Sequence, residues 1–171
     1  TNASWQSFVT GLRVLRGEDG ARQWLELFAA QDPVAFEGDA QVRDAVDSGE
    51  VRLGLINHYY LYELIAETGE GNVVARNQFM APGDPGGLVN VAGAGVLAST
   101  DQSEQSQLLI DYLRSQKAQE YFAQETWEYP LLEGVPAPEG LPSLESLDPP
   151  AIDLSDLDSI AQTQALLADV G

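Results

Sequence analysis

Helical patterns alternate along this chain with short apolar runs, and that alternation limits the folds open to it. Apolar residues recur at helical spacing near the start, at Phe8, Val9, Leu12 and Leu15. The run Val51–Asn57 is instead short and nearly continuously apolar, as expected of a strand covered on both faces. Helical patterns flank this run, so the sequence predicts an α/β fold, with βα units around a mixed sheet.

Further elements follow from the same patterns. Gly17–Gly20 interrupts the first helical run and predicts two consecutive helices. The patterns predict further helices over residues 39–48, 58–67, 101–113, around 121 and over 157–170, and further strands over 73–76, 88–91 and 95–98. Asp101 and Glu104 form a predicted capping pair for the helix that follows them. The turn Gly83–Gly87 is either a plain loop or a crossing between two lobes that share a hinge.

Composition excludes several classes of function. The chain has 27 acidic and 8 basic side chains and a net charge of −19, which disfavours nucleic acid and anionic membranes as partners. This acidity attracts cations, and it equally suits a solvated surface. Cysteine is absent, which excludes disulfides, thiolate metal sites and cysteine nucleophiles. No apolar stretch is long enough to span a bilayer, and the start lacks the pattern of a signal peptide, so we expect a mature, cytosolic or fragmentary chain.

Adjacent phenols, Tyr59 and Tyr60, stand where the apolar run Val51–Asn57 enters a helix. At such a junction the backbone can turn so that two neighbouring side chains reach one point. Ferric iron, a small hard cation, prefers oxygen donors, and two phenolates offset two of its three charges. The alternative is structural, with one tyrosine in the core and the other half exposed.

A second group of small polar residues opens the chain. Thr1, Asn2, Ala3 and Ser4 directly precede a predicted helix, where backbone N–H groups and small side chains can hold an anion. An anion there would complement a bound cation. An ordinary helix N-cap explains the same residues without any ligand.

Four stretches together resemble periplasmic ferric-iron-binding proteins of ABC importers. They are the start through Trp5, the motif Asn57-His58-Tyr59-Tyr60, residues 83–97 and residues 128–131. Their order and approximate spacing match the carboxy-terminal half or so of such a protein. The resemblance implies a two-lobed, class II binding-protein fold that closes on iron, Fe3+, and passes it to a membrane permease.

The resemblance also implies roles for individual residues. Tyr59 and Tyr60 match the paired tyrosine ligands of the family, and Asn2, Ala3 and Ser4 match the loop that holds a synergistic anion, either carbonate or phosphate. Asn57 matches a polar residue beside that anion. Asp39 stands where relatives that use phosphate carry asparagine, and its carboxylate would repel phosphate, which leaves carbonate, another anion or no anion. His58 is not carried over as a ligand, and we expect it to be hydrogen-bonded or solvated at the helix start.

Domain organisation and partners follow from the same resemblance. It implies that residues 1–89 belong to the iron-binding lobe, that 90–140 cross to the other lobe, and that 141–171 return as an arm and a helix. The remaining iron ligands would come from an amino-terminal lobe outside this sequence, so the chain is expected to pair with that lobe or with a second copy of itself. The expected location is periplasmic or extracellular, associated with the cell envelope.

Two alternatives use the same architecture. One is a domain that senses an effector, and the other is a binding protein for a small organic solute, with the tyrosines as walls of the site. No nucleophile turn of the G-x-S-x-G type accompanies His58, and no phosphate-binding loop is found. The sequence therefore predicts a binding protein and not an enzyme.

Overall fold

The structure, a computed structural model, describes residues 2–170 and, apart from that of residue 158, their side chains. Within that range lie seven α-helices: α1 Ala3–Ala29, α2 Asp39–Asp47, α3 Tyr59–Thr68, α4 Ser103–Leu113, α5 Gln116–Glu125, α6 Leu144–Leu147 and α7 Ile160–Val170. Short 3-10 helices lie at Glu70–Asn72, Pro85–Gly87 and Leu154–Asp158.

These elements belong to two compact units. The first unit contains the residues through Asn57, Val74–Asn90 and the residues from Leu147 onward, and the second contains His58–Val73 with Val91–Ser146. The assignment of residues 1–89, 90–140 and 141–171 to lobes stays a prediction.

Helix α1 begins at a side-chain cap and is interrupted once. The Asn2 side chain accepts a hydrogen bond from the backbone N–H of Trp5 at 3.0 Å, which satisfies one of the N–H groups at the helix start. Gly17 has φ 72° and ψ 170°, a conformation that glycine adopts far more readily than other residues. The predicted break into two consecutive helical segments is therefore confirmed, and it occurs at Gly17.

The core of the first unit lies between α1 and α7. Its buried residues are Val9, Leu12, Ala21, Leu25 and Leu166, with aromatic side chains of α1 packed around them. Burial of this apolar surface is the main contribution to the stability of the unit.

A polar contact beside this core also joins the two helices. The buried hydroxyls of Thr10 and Thr163 are 2.7 Å apart, and Arg13 donates to Thr163 at 2.9 Å and to the Ser159 carbonyl at 3.0 Å. Arg13 also pairs with Glu18. These contacts fix α7 to α1, because a buried polar group without a partner destabilises the fold.

The second unit contains α3, α4 and α5. Leu61, Val73, Ala118 and Ala123 are its buried apolar side chains. Gln119 joins two segments of the unit, since its side chain accepts from the Leu131 N–H at 2.7 Å and donates to the Leu113 carbonyl at 2.9 Å.

Helix α4 differs from its prediction in two respects. Its N-cap is Gln102, which makes no side-chain capping bond, so the predicted pairing of Asp101 with Glu104 is wrong as a cap. Its apolar residues Leu108 and Leu109 are 68% and 59% exposed. Periodicity shows which face of a helix is apolar, but it does not show what covers that face.

The four predicted strands are not formed within residues 2–170, which contain no strand. Apolar side chains from three of these segments, Leu53, Val74 and Leu97, are at least 75% exposed. A strand exists only when another strand supplies hydrogen-bond partners, and an apolar run cannot show that such a partner is present. The mixed sheet is thus not confirmed by these residues.

Candidate metal centre

The two predicted ligands, Tyr59 and Tyr60, are the first two residues of α3. Adjacent residues on a regular helix point about 100° apart, which would separate two side chains. Here both rings are half-buried and their centroids lie 4.7 Å apart, with 39° between the ring planes. The helix start therefore brings the two rings together, while their role as ligands stays a prediction.

The two phenols stand at the N-terminus of α3. Aligned peptide dipoles place a partial positive charge at this end of the helix, which would interact favourably with an anionic group. The N-cap residue, His58, makes no side-chain capping bond that would offset this charge.

His58 is held by the segment that follows α5. Its Nε2–H donates to the carbonyl oxygen of Trp127 at 2.8 Å. Burial lowers the pKa of His58, while this hydrogen bond and the nearby Glu128 carboxylate partly oppose that effect. The hydrogen bond requires a proton on Nε2, because the Trp127 carbonyl can only accept, and the expectation of a hydrogen-bonded histidine is confirmed.

A further phenol in the second unit has a different environment. The Tyr129 hydroxyl donates to the Pro142 carbonyl at 2.5 Å. Burial, together with the neighbouring Tyr62, raises the pKa of Tyr129 to about 12. This phenol keeps its proton more firmly than an ordinary tyrosine does, and it is a poor candidate for a ligand.

The packing of the aromatic residues Trp127 and Tyr129 near the start of α3 was not predicted. The Trp127 ring stacks on that of Tyr62 at 6.5 Å, and the His58 ring lies 5.4 Å from that of Tyr129. The sequence signal was the aromatic residue 127 directly before the motif at 128–131 and the aromatic residue 129 within it, but nothing local indicates that they pack against α3.

The predicted anion-binding residues lie in the first unit, where they pair with one another. Asn2 donates through Nδ2 to the Asp39 carboxylate at 2.7 Å, and Asn57 donates through Nδ2 to the Ser4 hydroxyl at 3.0 Å. Ala3 is the first residue of α1, and Thr1 lies outside the described residues. Asn2 acts as the N-cap of α1, which is the role that needs no ligand, so an anion at these residues stays a prediction.

The described part of the chain contains neither a cluster of acidic and histidine side chains suited to a metal ion nor a helix suited to a membrane. Among the described side chains, which leave out that of residue 158, no group of three or more histidine, aspartate or glutamate residues is arranged to hold a metal ion. Within residues 2–170, no helix has the length and apolar character needed to cross a bilayer.

Comparison with solved structures places the chain among bacterial solute-binding proteins. The iron-bound structure of HitA from Pseudomonas aeruginosa matches all of this chain and 55% of its own, with a TM-score of 0.92 and 32% sequence identity. The family model for bacterial extracellular solute-binding proteins matches residues 1–152. The chain belongs to that family.

Curated relatives narrow the resemblance further. The Fe(3+)-binding periplasmic protein of Serratia marcescens is 32% identical over 160 residues, covering 93% of this chain and 47% of the relative. The major ferric iron-binding protein of Neisseria meningitidis serogroup B is 30% identical over 172 aligned residues, which cover 100% of this chain and 51% of the relative. Iron uptake protein A1 of Synechocystis is 36% identical over 137 residues, which cover 77% of this chain and 38% of the relative.

The chain spans about half the length of the curated relatives that it matches. The resemblance to ferric-iron-binding solute-binding proteins is confirmed by these matches. The expected periplasmic or extracellular location is likewise confirmed, because the family is extracellular and its relatives here include a periplasmic protein.

Proposed function

We propose that this chain binds ferric iron as a cargo, through the phenolates of Tyr59 and Tyr60, within a solute-binding protein that delivers it to an ABC import permease. The observation that carries the proposal is the approach of two phenol rings to 4.7 Å at the positive end of α3. Similarity to proteins named for ferric iron supports the choice of ion.

The charge balance of such a site favours a trivalent ion. Two phenolates bring two negative charges, and hard cations prefer oxygen donors of this kind. Each phenol loses its proton only when the metal replaces it, so binding releases protons and strengthens as the pH rises. The protein binds and releases the ion without catalysing a reaction, and the relatives are accordingly named as binding or uptake proteins.

The accompanying anion is the second part of the proposal. The amide of Asn2 already donates to the Asp39 carboxylate at 2.7 Å, so a phosphate at the start of α1 would meet both an occupied donor and a negative charge. We infer that phosphate is disfavoured there. Carbonate in neutral water is mainly hydrogencarbonate, which carries a single negative charge and is repelled less by the Asp39 carboxylate.

The third part concerns the rest of the site. The half-length match to relatives supports a two-lobed class II fold with a mixed sheet, in which an amino-terminal lobe or a second copy of the chain supplies the remaining ligands. Exposed apolar side chains in the predicted strands, such as Leu53 and Leu97, would then be covered by that partner.

The test is a titration of the 171-residue chain with ferric nitrilotriacetate, followed by visible absorption. Ferric phenolate gives a red to purple charge-transfer band, and we expect this band to disappear in the double variant Tyr59→Phe, Tyr60→Phe. A matched control replaces two exposed phenols of the second unit, Tyr112 and Tyr121, by phenylalanine. The control should keep the band, and loss of the band in both double variants, or in neither, would refute the assignment.

A further inference from the structure

His58 joins the start of α3 to the segment after α5, and no other histidine exists in the chain. Its Nε2–H donates to the Trp127 carbonyl at 2.8 Å. Because the carbonyl can only accept, this contact fixes which ring nitrogen carries the proton.

The partner of this hydrogen bond has an unusual backbone conformation. Trp127 has φ 53°, in the left-handed region that residues with a side chain rarely adopt. Its neighbours hold it there, since the Glu128 N–H donates to the Phe122 carbonyl at 3.1 Å and Thr126 donates to the Glu128 carboxylate at 2.8 Å. A strained residue that its surroundings hold in place marks a segment with a fixed position.

The same histidine contacts the first candidate ligand. The His58 ring meets the ring of Tyr59 nearly edge-on, with centroids 5.6 Å apart and 75° between the planes. The ring of Trp127 itself stacks on that of Tyr62, which lies about one turn after Tyr59 in α3. The Trp127 segment therefore contacts α3 both before and after the tyrosine pair.

We propose that His58 is a positioning residue for the ferric site, holding the start of α3 against Trp127 so that Tyr59 meets the metal in a fixed orientation. This inference rests on the proposed function for its link to iron. Residues that orient ligands without touching the metal commonly change metal affinity by about 10- to 100-fold when they are replaced.

Two substitutions separate the hydrogen bond from simple packing. In His58→Gln the side-chain amide places a donor where Nε2 lies in histidine, so the bond to Trp127 is kept. In His58→Leu a side chain of similar size has no donor. Gln119→Leu is a control for general loosening, because it removes two partly buried hydrogen bonds of the same unit that do not involve α3.

The first readout needs no metal. A single imidazole allows selective 15N-histidine labelling, and NMR of the metal-free chain should show a proton held on Nε2. A ring protonated on Nδ1, or averaged between the two tautomers, would overturn the proposal whatever the chain does with iron.

The second readout uses ferric nitrilotriacetate. We expect His58→Leu to shift the charge-transfer band and to lose iron to excess chelator about 10 to 100 times faster than wild type. His58→Gln and Gln119→Leu should stay within about threefold of wild type, with the band unmoved. An unchanged band and rate in His58→Leu, or an equal effect in Gln119→Leu, would overturn the positioning role.

The two readouts also separate this proposal from the proposed function. A wild-type chain without any ferric band, but with the Nε2 tautomer, would refute iron binding by the tyrosines and leave His58 as a structural contact only. A ferric band that depends on Tyr59 and Tyr60, but not on His58, would refute the positioning role alone.

Discussion

The surroundings of Tyr129 differ from those of the pair Tyr59-Tyr60, and this difference decides which phenols are candidate iron ligands. Tyr129 is hydrogen-bonded to Pro142 and its pKa is raised to about 12, so it keeps its proton. Tyr59 and Tyr60 lie half-buried at the N-terminus of α3, with their ring centroids 4.7 Å apart. The pair Tyr59-Tyr60 could be singled out from the sequence. The hydrogen bond from Tyr129 to Pro142 could not, because no local sequence pattern relates these two residues.

Asp39 changes the chemistry of the first unit in a similar way. Its carboxylate lies in the first turn of α2 and accepts from the amide of Asn2. A carboxylate and a carboxamide have nearly the same shape, so replacing one by the other changes charge and hydrogen bonding with little change in packing.

We therefore expect Asp39→Asn to make the ferric complex responsive to phosphate. The substitution removes a negative charge beside Asn2 and replaces a charged acceptor by a neutral amide oxygen, which holds the Asn2 amide less strongly. In carbonate-free buffer, added phosphate should shift the visible band of the variant and leave the band of wild type in place.

Glu50→Gln serves as the control for charge alone, because Glu50 is exposed and the substitution removes one negative charge. Its ferric complex should ignore phosphate as wild type does. A wild-type band that phosphate shifts as strongly as that of Asp39→Asn would contradict the role given to Asp39.

At the scale of elements, helices could be predicted closely and strands could not. The predicted helix over 39–48 is α2 at Asp39–Asp47, and the one over 58–67 is α3 at Tyr59–Thr68. Helical hydrogen bonds join residues four apart, so the sequence of the segment itself contains most of the information. Strand pairing joins distant segments, and the run Val51–Asn57 could not show whether a partner strand is present.

The break in α1 gives a stability prediction. Gly17 has φ 72° and ψ 170°, and a side chain there is strained even though open space surrounds the position. We expect Gly17→Ala to lower the free energy of unfolding by about 1 to 3 kcal/mol, measured by urea denaturation.

Gly71→Ala is the matched comparison. Gly71 also has open space around it, and it lies in a 3-10 helix without a positive φ. Its effect should stay within about 0.5 kcal/mol. If both variants lose the same stability, the special conformation of Gly17 is not the cause.

At the scale of the whole molecule, the chain spans about half the length of its relatives. Several of its apolar side chains are exposed. The family could be identified from a few motifs because the tyrosine doublet and the chain start have a specific order and spacing. The sheet could not be tested in the same way, since its partner strands are not provided within residues 2–170. Iron binding must therefore be tested through the tyrosines, which the chain does contain.

Resonance Raman spectroscopy of the ferric-loaded chain, excited within its visible band, tests this binding most directly. We predict ring modes of metal-bound tyrosinate that shift when the protein is made with ring-deuterated tyrosine. These modes should vanish in Tyr59→Phe, Tyr60→Phe and persist in Tyr112→Phe, Tyr121→Phe. Tyrosinate modes that survive the first double substitution, or a coloured complex without such modes, would contradict iron binding by Tyr59 and Tyr60.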